Sequence, residues 1–156
     1  MPYEFKYTKR VEFHETDMAG IMHFSNFFRF MEMTEHAFFR ELGFSIHDTY
    51  DGVKTGWPRV QVACDFFKPV YFEDEVEIHL IVAEKKAKAL SYHFTFRKIV
   101  DGQPGEKIAF GRSTAVCIGF DQHGKISGAI AIPTAISEKI EQAPAELIHE
   151  EESKNG

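Results

Sequence analysis

Hydrophobic positions in the first third of the chain change period once. Residues 3–13 alternate, with Tyr3, Phe5, Tyr7, Val11 and Phe13 set against Glu4, Lys6, Thr8 and Glu12, which predicts a strand. The next stretch, HETDMAGIMHF, keeps neither a helical nor a strand period and contains Gly20, so it reads as a loop. From Phe27 the apolar positions fall at Phe27, Phe30, Met31, Thr34, Phe38 and Leu42, with Arg29, Glu32, Glu35 and Arg40 on the other face. That spacing predicts a helix of about 16–18 residues, ~24–27 Å long. Ser25 or Asn26 is its expected N-cap, and Gly43 stands just past its end.

The period of two then returns. RVQVACDFF (59–67) is extended and is closed by Pro69. EVEIHLIVAE (75–84) sets Val76, Ile78, Leu80 and Val82 on one face, and ALSYHFTFRKIV (89–100) does the same with Leu90, Tyr92, Phe94 and Phe96. DGQPGE (101–106) has hairpin turn chemistry. EKIAFGRSTAVCIGF (106–120) reads as the longest strand, with Ile108, Phe110, Thr114, Val116 and Ile118 on one side, and a short helix is expected from Pro133. The order is β-loop-α-β-β-β-β. Short late connections make those strands antiparallel, and one apolar sheet face packs against the single long helix. The fold class is α+β.

Length fits one domain, read as 1–143, with an acidic, mobile tail over 144–156 that contains AELIHEEES. A hydrophobic fraction of 44% with 27% charged residues rules out a disordered or collagen-like chain. The 16 phenylalanines, against one Trp and five Tyr, point to a thick helix–sheet core or an apolar pocket. A net charge of -6 makes nucleic acid and anionic membrane poor partners. Cys64 and Cys117 are the two cysteines and form no CxxC, which suits a reducing compartment. With no apolar segment at the N-terminus and no run of about 18 apolar residues, the expectation is a soluble, cytoplasmic protein.

Several chemistries lack their residues. There is no GxSxG elbow, no phosphate loop, no GxGxxG and no HExxH. His14, His23 and Asp17 lie near one another in sequence, but their spacing does not make a metal set, and no metal is expected. The informative segment is the loop itself. Asp17 precedes a helix start, where unpaired N–H groups and the positive end of the helix dipole gather. A carboxylate facing such donors can activate water or attack a carbonyl while the amides hold the oxyanion. On spacing alone, Asp17 as a plain turn residue remains the competing reading.

The pattern Asp17-x-Ala19-Gly20-Ile21-Met22-His23-x-x-Asn26, running into an aromatic helix that ends LGF, resembles the hotdog-fold acyl-CoA thioesterases, in particular the 4-hydroxybenzoyl-CoA thioesterase-like branch. WPRVQVACDFFKPVYFEDEVEI (57–78) extends the likeness over roughly residues 5–120. The resemblance implies a five-stranded antiparallel sheet wrapped around one long central helix. It implies hydrolysis of acyl-CoA to free acid and CoA, with CoA as part of the substrate and no separate cofactor. Asp17 matches the catalytic carboxylate, general base or nucleophile, and Phe24 the helix-start residue whose N–H polarises the thioester carbonyl. Gly20 and Ile21 match the loop shaping the acyl entrance, and Lys85, Lys86 and Lys88 a place where some members hold the CoA phosphates. Relatives often carry Tyr or His at the position of Phe24, so here His23 offers the polar group near the site. Two alternatives stand beside hydrolysis: a non-catalytic acyl-CoA or acyl-carrier-protein binding module, and a hotdog hydratase, whose His would fall where Met22 stands. Exposed sheet edges and the family pattern imply a homodimer or homotetramer.

Overall fold

The computed structural model describes residues 2–153. Among these, nine strands, a 3-10 turn and three helices follow one another as β1 (Glu4–Arg10), the turn Phe13–Glu15, α1 (Ser25–Glu41), β2 (Thr49–Tyr50), β3 (Val53–Gly56), β4 (Arg59–Phe66), β5 (Glu75–Lys85), β6 (Ala89–Val100), β7 (Gln103–Val116), β8 (Ile118–Phe120), β9 (Ile126–Ala129), α2 (Thr134–Ser137) and α3 (Ala145–Ser153). The five long strands form one sheet in the order β1-β5-β6-β7-β4, antiparallel throughout. This places β1 and β4, far apart in sequence, on the two outer edges.

Helix α1 has 17 residues and buries Phe27, Phe30, Met31, Thr34 and Phe38, the apolar face its spacing predicted. It packs against β1, β5 and β4. Inward from β5 and β6 come Val76, Ile78, Leu80, Val82, Leu90, Tyr92, Phe94 and Phe96, all in the core. The phenylalanines interlock edge to face, as Phe27 does with Phe96 at a centroid distance of 5.3 Å.

Four expectations change. The long strand from 106 splits: β7 ends at Val116, and β8 joins β2, β3 and β9 in a second, four-stranded sheet. The face of β7 that meets α1 carries small residues instead of Phe110 and Thr114. A Cβ on Gly111 would stand 2.8 Å from Met31 Sδ, so the helix seats itself there only because that side chain is missing. Phe110 instead packs under His93 and the Lys107 and Arg112 cations on the sheet's other face. Glu35, placed with the polar side of α1, is buried beside Arg59. Finally, the acidic stretch from 144 is helical over Ala145–Ser153, and residues 154–156 lie outside the described residues. Glu151 ties it to the sheet: its Oε2 accepts from Thr95 Oγ1 at 2.6 Å, and its backbone oxygen accepts from Lys107 Nζ at 2.6 Å.

Candidate active site

The loop between β1 and α1 is held in shape by its own backbone. Asp17 N–H donates to Ile21 O (2.9 Å) and Gly20 N–H to Asp17 O (3.0 Å), closing a tight turn that needs a φ of +82° at Gly20. A Cβ there would meet nothing within 4 Å, so the glycine serves the turn's conformation. Asp17 Oδ1 accepts from Ala19 N–H at 2.9 Å, which leaves Oδ2 uncommitted among the described residues. Thr16 bridges Met22 and Ile21 bridges Tyr71, while Met22 N–H donates to Val70 O at 2.8 Å, pinning the far limb to the segment after β4.

The start of α1 departs from the sequence reading. Phe24, not Ser25 or Asn26, occupies the N-cap position, and no side chain of its own caps the turn. The ring of His23 does part of that work: Ser25 N–H donates to His23 Nδ1 at 3.2 Å, and Ser25 Oγ lies 2.8 Å from the same atom. His23 N–H donates to Glu15 O, Asn26 N–H to His23 O and Phe27 N–H to Phe24 O, at 2.9, 2.9 and 3.1 Å. Among the described residues, Phe24 N–H alone in this run has no acceptor. A free donor at the positive end of a helix is suited to an anion or to a carbonyl oxygen gaining charge.

Asp17, Ile21 and Phe24 line one open cleft of about 470 Å³, whose walls are Met22, Phe27, Phe66, Phe67 and Pro69, with Lys68 at its edge. Phe66 meets both Phe27 and Phe24 edge on, at 5.0 and 6.5 Å. A single carboxylate and a free N–H in a recess walled mostly by apolar side chains can orient and polarise a carbonyl carried on an apolar group. A larger recess of about 700 Å³ opens at the other, C-terminal end of α1, beside Phe38 and Leu42.

The structure thus brings Asp17, Ile21 and Phe24 into one cleft, with Gly20 and His23 flanking it. It does not bring the three lysines there. Lys85 closes β5 at the end away from Asp17, ten residues beyond Glu75, or about 33 Å along the strand. Its Nζ donates to Ser137 O (2.6 Å) and Ile140 O (2.8 Å), tying down α2, and Lys86 Nζ pairs with Glu84 at 3.0 Å. Lys88 is exposed on the same hairpin. Among the described residues no three His, Cys, Asp or Glu side chains could hold a metal ion together.

The sequence reading missed a second polar cluster. Halfway along α1, Glu35 contacts Arg59 of β4, whose guanidinium also stands 3.4 Å from Glu32. Burial raises the Glu35 carboxyl to about 7, against the lowering effect of Arg59. Burial also raises the nearby Tyr92 hydroxyl, which has no hydrogen-bond partner among the described residues. No local signal marks this cluster, because Arg59 lies 24 positions from Glu35.

Comparison with known proteins assigns the chain to a family. The family profile of the thioesterase-like superfamily matches residues 11–147. A 1,4-dihydroxy-2-naphthoyl-CoA hydrolase of Synechococcus sp. (strain WH7803) is 29% identical over 98 residues, which cover 58% of this chain and 64% of that protein. A gentisyl-coenzyme A thioesterase structure is 28% identical with a TM-score of 0.70, covering 88% of this chain and 100% of the other. The 4-hydroxybenzoyl CoA thioesterase of Pseudomonas sp. strain CBS-3 shares the fold at a TM-score of 0.74 and 19% identity, covering 87% of this chain and 98% of that one. The chain belongs to the thioesterase-like superfamily, as a hotdog-fold member of its 4-hydroxybenzoyl-CoA thioesterase-like branch. It is an enzyme of the class that hydrolyses thioester bonds.

Proposed function

We propose that this chain hydrolyses aromatic acyl-CoA thioesters to the free acid and CoA. The observation that carries the reading is the pairing, in one cleft, of the Asp17 carboxylate with the unpartnered Phe24 N–H at the start of α1. In this reading the thioester carbonyl oxygen accepts from Phe24 N–H, and the charge it gains meets the helix dipole. Asp17 takes the proton of an attacking water, or attacks the carbonyl carbon itself to give a mixed anhydride that water then hydrolyses to the acid; in either course the thiolate of CoA leaves. No cofactor is required.

The aromatic acyl class is supported by Phe24, Phe27, Phe66 and Phe67 around the cleft, and by relatives named for naphthoyl and gentisyl esters. A dimer fits the same reading. Edge strand β4 has an unpaired side, and Val60, Val62 and Phe66 on it stay exposed. Antiparallel pairing of β4 with β4 of a second copy would bring the partner's 85–88 hairpin to the Asp17 end of the sheet. Lys88 then becomes the lysine best able to meet CoA phosphates.

The test is thiol release from a panel of benzoyl, hydroxyaryl, short-chain and long-chain CoA esters. Hydrolysis that favours the aromatic esters supports the proposal. Folded protein that binds these esters without releasing thiol would move the chain to the binding-module reading.

A further inference from the structure

We propose that Asn26 is a positioning residue for this reaction, setting the separation between the Asp17 carboxylate and the Phe24 N–H; the inference rests on the hydrolytic reading above. Asn26 lies in the first turn of α1 and is 3% exposed, among the few buried polar groups of the core. Its Nδ2 donates to Glu15 O at 2.8 Å. That oxygen also accepts from His23 N–H at 2.9 Å. One carbonyl oxygen, at the last residue before the Thr16–Phe24 loop, is therefore bound both by the loop's returning end and by the helix that follows.

Both partners of this clamp are themselves fixed. Asn26 Oδ1 accepts from Arg29 Nη1 at 3.0 Å, so only one orientation of the amide satisfies both contacts. Glu15 is 4% exposed, and its Oε1 accepts from Glu12 N–H at 2.7 Å and from Lys9 Nζ at 3.4 Å. Asp17 follows Glu15 by two residues, and Phe24 precedes Asn26 by two. The clamp closes the loop at its base, with the carboxylate on one limb and the free N–H on the other. Asn26 itself does not line the cleft, so it acts on the reaction only through that spacing. Misplacement of reacting groups by about 1 Å can cost on the order of 100-fold in rate.

The experiment compares wild type, Asp17→Asn, Asn26→Asp and Asn26→Ser by steady-state thiol release, with circular dichroism and thermal melts alongside. Asn26→Asp keeps the shape and the Arg29 contact but turns an acceptor toward Glu15 O, so it breaks the clamp without emptying the site. A positioning role predicts kcat lower by about 10- to 100-fold and KM within about threefold, with the pH profile of Asn26→Ser unchanged. Asn26→Ser, which cannot reach Glu15, repeats the loss if the buried charge of Asp prevents folding. A residue that serves stability alone would lower the melting temperature and leave kcat intact in the folded fraction, and that result overturns the proposal. No turnover in wild type would instead remove the hydrolytic reading and this inference with it, and wild-type turnover in Asp17→Asn would remove the role of Asp17 on which this inference rests. An inactive Asp17→Asn beside a fully active Asn26→Asp would remove this inference alone.

Discussion

At the scale of single residues, the proposed chemistry depends on what the backbone leaves unpaired. In the proposed reaction Phe24 contributes its amide, and the residue is 59% exposed with a side chain that donates no hydrogen bond. Its φ of -56° is one that proline adopts without strain, and its N–H donates to nothing among the described residues. Phe24→Pro is therefore expected to fold while removing one oxyanion donor, lowering kcat by roughly 100- to 1,000-fold. Phe24→Ala should stay within about fivefold of wild type, since the donor remains. Equal kinetics in the two variants would exclude a role for this amide. His23, read from the sequence as a polar group beside the site, spends its Nδ1 on the Ser25 amide and hydroxyl.

At the scale of elements, the junction of α1 with β4 carries a testable charge. Glu35 ionises near 7 in the folded protein and near 4.5 when unfolded, because burial outweighs Arg59. The folded state thus holds the proton more tightly, and its contribution to stability is full below about 4.5 and is lost as pH rises towards 7. Thermal melts of wild type and Glu35→Gln between pH 4.5 and 8 should show wild type losing ground as pH rises, by about 1–3 kcal/mol, then levelling off. A difference independent of pH would contradict the assignment.

The same junction shows what was legible in the sequence. The period of α1 and the alternation of β5 and β6 could be read directly, because each reports a burial pattern set along one element. Glu35 could not: its burial depends on Arg59 across the helix–sheet gap. β7 misled for a related reason, since its inward side is built of Ala109, Gly111, Ser113 and Ala115, and Phe110 marks the opposite face. Strands of two to four residues such as β2, β3 and β9 are too short to show a period. The loop that carries Asp17 stands out through its residue types, yet the choice of Phe24 over Ser25 or Asn26 as the helix start is visible only in hydrogen bonds. Neither of the two N-cap candidates, Ser25 and Asn26, takes that place, and the Asn26 amide instead ties the helix back to Glu15.

At the scale of the whole molecule, α3 and β4 divide the surface into a closed part and an open one. α3 lies over the outer face of β5, β6 and β7 through contacts to His79, Thr95 and Lys107. β4 is left as an edge with apolar side chains beside free backbone groups, a combination that pairs readily with another strand. Light scattering of wild type at micromolar concentration should give at least twice the mass of one chain. Val62→Asp, which sets a charge on that edge, should shift the mass towards the monomer and reduce kcat/KM if the partner's hairpin helps hold CoA. A monodisperse wild-type monomer would contradict the β4 interface.

In the proposed mechanism Asp17 performs the chemistry opposite the free N–H of Phe24. Its most direct test is the turnover of Asp17→Asn on the best ester of the panel, with affinity for that ester measured by calorimetry. Asp17→Asn is expected to lose at least 100-fold in kcat with binding and melting temperature retained, because the amide keeps the shape and the Ala19 contact but neither takes the proton nor attacks. Turnover within a few-fold of wild type would contradict it.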